Sequence, residues 1–302
     1  MNAELTIGPI LFHWPAEKKR DFYFQIADEA PVSTVYLGEV VCSKRTPFFE
    51  QHYDEVAERL MTAGKKPVFC SLAEVMIPRE RKMTEGLSEL ENFEVEANDA
   101  AALYHLRGKP HRIGQYFNVY NEETMEYLAG NGATHFTAPS ELPKEALAVL
   151  GEKAEELGVG LEVQVYGRTG LALSARCYHA RAHGRVKDNC QFVCEEDPDG
   201  MELKTLNGQS FLAVNGIQTL SYSCLNLIQE LPEMQKMGVT HFRLSPHTVD
   251  MVQVAKIFRS VLDQRYSAQE GIHKLSMLGF GDMFSNGFYH KDRGYAWNQT
   301  QN

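Results

Sequence analysis

Three of the six cysteines in this chain fall within "CYHARAHGRVKDNCQFVCEED" (177–197), as Cys177, Cys190 and Cys194. Between them lie His179, His183, Arg181, Arg185 and Lys187, and little that is apolar. Thiolates and imidazoles are the side chains that hold soft and borderline metals. Their concentration in a polar, basic loop raises three alternatives: a metal site, a disulfide framework, or unligated thiols. The start, "MNAELTIGPILFHWPAEKKR", has no basic leader, and its apolar run stops at His13, so it does not read as a signal peptide. A cytoplasmic, reducing location is therefore expected, and there structural disulfides are rare. Metal binding or redox work is the better reading of the cluster.

The spacing narrows the metal. Structural zinc usually shows two short cysteine knuckles, whereas this loop has one short pair, C-x3-C, and a more distant Cys177. A C-x12-C-x3-C triplet completed by one remote cysteine suits an irregular iron–sulfur site better, with zinc and free thiols as the alternatives. On a helical turn, Cys190 and Cys194 would share a face. Cys70 and Cys224 sit in apolar runs and read as buried free thiols.

What must position these residues is a series of short apolar runs. Strand candidates are 5–12, 32–38, 66–72, 93–97, 112–119, 134–138, 160–167 and 240–245, most rich in β-branched or aromatic residues. Helical patterns lie between most of them. In 48–64, Phe49, Tyr53, Val56 and Leu60 recur at helical spacing. Asn121 reads as an N-cap with Gly130 closing its helix, and another helix ends at Gly158. Eight strands joined by helices predict parallel pairing and a (β/α)8 barrel over 1–265. An open doubly wound sheet is the alternative, but no GxGxxG follows the first strand. The stretch 168–239 is a cysteine-rich insert, with Asn207-Gly208 and Asn215-Gly216 predicting β-hairpins. The tail 266–302 is rich in Gly and aromatics and is expected to pack on the barrel or at an interface. Barrels of this kind gather chemistry at the C-terminal ends of their strands. Cys42 follows the second strand and Cys177, Cys190 and Cys194 follow the seventh, so the four are expected to meet.

The formal charge of −10 opposes wrapping nucleic acid, although a local basic face remains around Arg176, Arg181, Arg185 and Lys187. No run is apolar enough to span a bilayer, so stable membrane insertion is not expected. Arg168, Arg176 and Arg243 stand near the ends of the seventh and eighth strands, where guanidinium groups would recognise carboxylates.

"EVQVYGRTGLALSARC" (162–177) resembles the signature segment of the collagenase-like peptidase family. Glu162, Gly167 and Cys177 fit that signature. Gly170 stands where it has another cysteine, and Ala175 replaces a usual Gly. With "DNCQFVC" downstream, the pattern is similar to the branch of the family that works in ubiquinone biosynthesis. That resemblance implies a [4Fe–4S] cluster on Cys42, Cys177, Cys190 and Cys194, with Cys42 in place of the missing thiol. It also implies oxygen-independent hydroxylation of ubiquinone precursors together with a homologous subunit, as a heterodimer, and a lipid-binding accessory protein. Prephenate is the oxygen donor implied for the group, a dicarboxylate that the three arginines would suit. Other relatives modify RNA, a branch that the acidic balance and displaced cysteine oppose. A zinc or iron–sulfur scaffold without its own catalysis is a further alternative. Peptidase chemistry finds little support: no HExxH or GxSxG occurs, and Ser174 and Ser245 lack a triad context.

Overall fold

The computed structural model describes residues 3–280 and 283–299. Eight parallel strands close on themselves: β1 (Glu4–Ile7), β2 (Thr34–Leu37), β3 (Lys66–Cys70), β4 (Glu94–Ala97), β5 (His111–Ile113), β6 (Ala133–Thr137), β7 (Gly160–Leu173) and, after β8 (Met201–Lys204), β9 (Ser210–Asn215) and β10 (Gln218–Asn226), the closing β11 (His241–Leu244). β11 pairs in parallel with both β1 and β7, which shuts the ring. This is the (β/α)8 barrel expected from the alternation of strands and helices.

Alternation along each strand sorts its side chains between two environments. On β1, Leu5 and Ile7 join the apolar layer beneath the outer helices, while Thr6 donates a hydrogen bond to Glu162. On β7, Leu161, Val163 and Val165 face that same layer. The helix caps form as expected at Asn121, whose side chain accepts from the Thr124 amide, and at Gly158, which is left-handed with φ +68°.

The insert differs in detail from the expectation. β7 does not stop at Gly167 but runs to Leu173, out of the barrel, where it pairs antiparallel with β10. β10, β9 and β8 then continue the sheet as a meander. The tight turn between β9 and β10 is Gly216-Ile217 rather than Asn215-Gly216, because Asn215 and Gln218 already pair as strand residues. Gly216 supplies the positive φ, +62°, that the first loop position of such a turn needs. The tail packs on its own chain. β12 (Phe284–Ser285) pairs with β10, and Phe280, Phe284 and Tyr289 are buried. No helix among the described residues is long and apolar enough to cross a membrane.

Candidate metal centre

Cys42, Cys177, Cys190 and Cys194 line one small cavity, together with Lys44, Arg45, His179, Lys187, Phe192, Val193 and Gly216. Three segments build it. The first follows β2, where Glu39 accepts hydrogen bonds from the amides of Val41 and Cys42 and so fixes the turn that carries Cys42. The second carries Cys177 on the β7 extension. It is pinned to the β9–β10 turn by Ser174 N–H donating to Ile217 O (3.0 Å) and His179 N–H donating to Gly216 O (3.3 Å). The third is the loop with Cys190 and Cys194. Lys44 Nζ donates to the carbonyls of Lys187 (2.7 Å) and Asp188 (3.1 Å), tying the loop to the Cys42 segment.

Cys190 and Cys194 do not share a helical face. Gln191 and Phe192 both adopt left-handed backbone, φ +49° and +53°, and a single 3-10 turn, Val193–Glu195, follows. Such conformations cost non-glycine residues roughly 1–2 kcal/mol each. The two residues reverse the chain and set Phe192 against the cavity. Its ring packs edge-on to Phe48 (4.7 Å between centroids) and against His13 (5.7 Å), an aromatic cover over one wall. Burial, reinforced by the Arg45 and Lys19 cations, pushes His13 down to about 4, so at neutral pH it is an uncharged ring in that cover.

Arg45 is the residue that sequence reasoning passed over. It is 3% exposed, donating from Nη1 to Leu11 O (2.9 Å) and from Nη2 to Asn215 Oδ1 (2.9 Å). Its closest carboxylate, Glu39, is 3.9 Å away. Burial opposes the guanidinium charge, yet Cys194, Glu39 and Cys42 hold its pKa above the ordinary arginine value. Burial pushes the thiols of Cys42, Cys177 and Cys194 up, and Arg45 pulls each back. A buried cation with thiols around it favours their thiolate forms, the forms that bind metal. No disulfide joins these cysteines. The donor set therefore fits a metal held by four thiolates. Among the described residues no three of the sulfurs come within 4.8 Å of one another. A lone zinc binding four thiolates at about 2.3 Å would draw them closer, to about 3.8 Å apart.

The two remaining cysteines lie elsewhere. Cys70 donates to Glu96 Oε1 (3.4 Å) and Cys224 to Leu225 O, both buried. The three arginines expected at the barrel mouth do not converge. Arg243 lies inside the barrel, 4% exposed, with Nε donating to Glu162 Oε2 (3.0 Å), Nη1 donating to Glu96 Oε1 (3.3 Å) and its guanidinium over the Tyr36 ring. Burial works against ionisation of Glu162, but Arg243 and His135 hold it well below the usual carboxylate range. Arg168 is spent on the carbonyls of Ser221 and Tyr222, where it braces the β7–β10 ladder. Arg176 alone is exposed. Two of the three guanidiniums, those of Arg168 and Arg243, thus already have partners within the chain.

Against this geometry, a model of peptidase family U32 matches residues 15–299. The chain belongs to peptidase family U32. Two solved structures are also similar. Thiamine phosphate pyrophosphorylase from Pyrococcus furiosus is 9% identical, with 87% of this chain and 96% of that one covered at a TM-score of 0.43. A protein assigned as a fructose-1,6-biphosphate aldolase from Coccidioides immitis is 13% identical, with 93% and 91% covered at 0.40. Membership of family U32 rests on the sequence match over residues 15–299.

Proposed function

We propose that this chain is a [4Fe–4S] subunit of an oxygen-independent hydroxylase acting on ubiquinone precursors, similar to the ubiquinone-biosynthesis protein UbiV. The observation that carries the reading is the meeting of four cysteines, from segments more than a hundred residues apart, around one cavity. Cys42, Cys177, Cys190 and Cys194 would hold the cluster. The C-x12-C-x3-C spacing completed by a remote Cys42 supports an irregular iron–sulfur centre over a single zinc ion. When bound, such a cluster supplies one-electron chemistry whose potential depends on charge, hydrogen bonding and exposure. Around it, Arg45 offsets thiolate charge, and Phe192, Phe48 and His13 limit water at one wall.

The same reading assigns a homologous UbiU-like subunit as heterodimeric partner, a lipid-binding accessory protein, and prephenate as oxygen donor, in the cytoplasm. The test is anaerobic co-expression with the homologous subunit and mass-spectrometric detection of hydroxylated precursor. Product is expected with both subunits and is lost with Cys190→Ala. Undiminished product from the Cys190→Ala chain would overturn the assignment.

A further inference from the structure

Beside the four cysteines stands a second donor set, of which His179 also lines their cavity. One ligand atom from each of His179, His183 and Asp197 lies within 4.8 Å of the other two. We propose that these three residues form a separate site for a divalent first-row cation such as Zn2+, with nitrogen and oxygen ligands.

The local fold prepares it. The short helix Tyr178–Ala182 starts at Cys177 and ends at His183, so His179 and His183 are four apart and stand on one face. Their rings are nearly parallel, 15° between planes with centroids 5.7 Å apart. Asp197 arrives from the far end of the cysteine loop, and its Oδ2 sits 2.9 Å from His179 Nε2. Both arms are held before any metal binds. The His179 amide is tied to Gly216 O, the Gly200 amide donates to Asp197 O (2.9 Å), and Trp14 Nε1 donates to Pro198 O (2.6 Å).

The His179–Asp197 hydrogen bond alone does not account for the group. The His183 ring stacks on that of His179, and the buried Nδ1 of His179 has no hydrogen-bond partner among the described residues. Two imidazoles and a carboxylate suit zinc and its first-row neighbours, and three protein ligands leave a coordination position open. Burial is graded, with His179 enclosed, Asp197 half-buried and His183 exposed, so the open position faces solvent and would take water. A cation there would clip the two ends of the loop that carries Cys177, Cys190 and Cys194.

The experiment adds Zn2+ to anaerobically purified full-length protein, removes free metal by gel filtration, and measures zinc and iron by mass spectrometry. The expected result is one zinc per chain beyond the iron, with binding weakened at least about tenfold in His183→Ala and in Asp197→Asn while iron is unchanged. His183 is exposed, so that variant tests the site without disturbing the core. Zinc absent from the parent protein, or retained equally by His183→Ala, would overturn the proposal. Should the protein carry no iron, Co2+ separates the two claims. Binding that depends on His183 and lacks a thiolate-to-cobalt charge-transfer band supports this site, and cobalt seen only with that band overturns it.

Discussion

Replacing Arg243 with Met removes a cation from between two carboxylates that have no route to water. The Arg243 side chain is 5% exposed, and those of Glu96 and Glu162 are 2% and 0% exposed. Breaking a buried pair by deleting one partner costs about 3–5 kcal/mol, because the remaining charge is left uncompensated. Here two carboxylates lose the shared cation, so at least the middle of that range applies. At about 2.1 cal/mol/K per residue, a 302-residue chain unfolds with an entropy near ~0.6 kcal/mol/K, so a loss of about 4 kcal/mol lowers Tm by about 6 °C. The pH dependence has a definite sign. The folded pKa of Glu162 is depressed, so its contribution is present above the unfolded carboxylate value of about 4.3 and is lost as pH falls below it toward the folded value. The difference in Tm between the parent protein and Arg243→Met should therefore be full at pH 7 and narrow below about pH 4. Calorimetry across pH 3–8, with the exposed Arg176→Met as control, reads both effects. Arg243→Met melting within about 1 °C of the parent at pH 7 would refute the barrel-interior account, since that is the range of an exposed substitution.

Other outcomes follow from the cavity and the backbone. Arg45→Gln should lower the iron retained after anaerobic purification while leaving the fold intact by circular dichroism, because the thiolates lose their buried counter-charge. Full iron retention in that variant would show that Arg45 plays no such part. In metal-free native protein at pH 8, iodoacetamide should spare Cys70 and Cys224 and modify them only after unfolding, as mass spectrometry will show. Both are buried, and burial pushes Cys224 up to about 12. Gly167→Ala should destabilise by several degrees of Tm, since φ is +107° and an added Cβ would lie 2.7 Å from Ser245 Cβ and 2.9 Å from its carbonyl oxygen.

The barrel was legible because each strand is a short run rich in β-branched and aromatic residues, bounded by turn residues and followed by a helical repeat. Boundaries were less so. The fifth strand ends at Ile113 rather than 119 because the chain leaves the sheet at Gly114, where a Cβ would lie 2.0 Å from Asn98 Oδ1. The extension of β7 carries little apolar alternation of its own and is a strand because β10 pairs with it. The cysteines stood out because their residue type is scarce and their spacing is unusual. The arginines misled because partners decide what an arginine does. Glu162 and Glu96 lie 81 and 147 positions from Arg243 in the chain, and only barrel closure brings them together. Arg45 escaped notice for the same reason, since Leu11 and Asn215 are what bury it beside the thiols. Its one local signal was the position three residues after Cys42, in "CSKR".

The most direct test of the central claim is iron and acid-labile sulfide per chain in protein purified without air, measured for the parent and for Cys42→Ala. The account predicts about four of each in the parent, as a [4Fe–4S] cluster requires. It predicts near-complete loss of both in Cys42→Ala, although Cys42 is far in sequence from the other three. Stoichiometric zinc without sulfide in the parent, or full iron in Cys42→Ala, would contradict it.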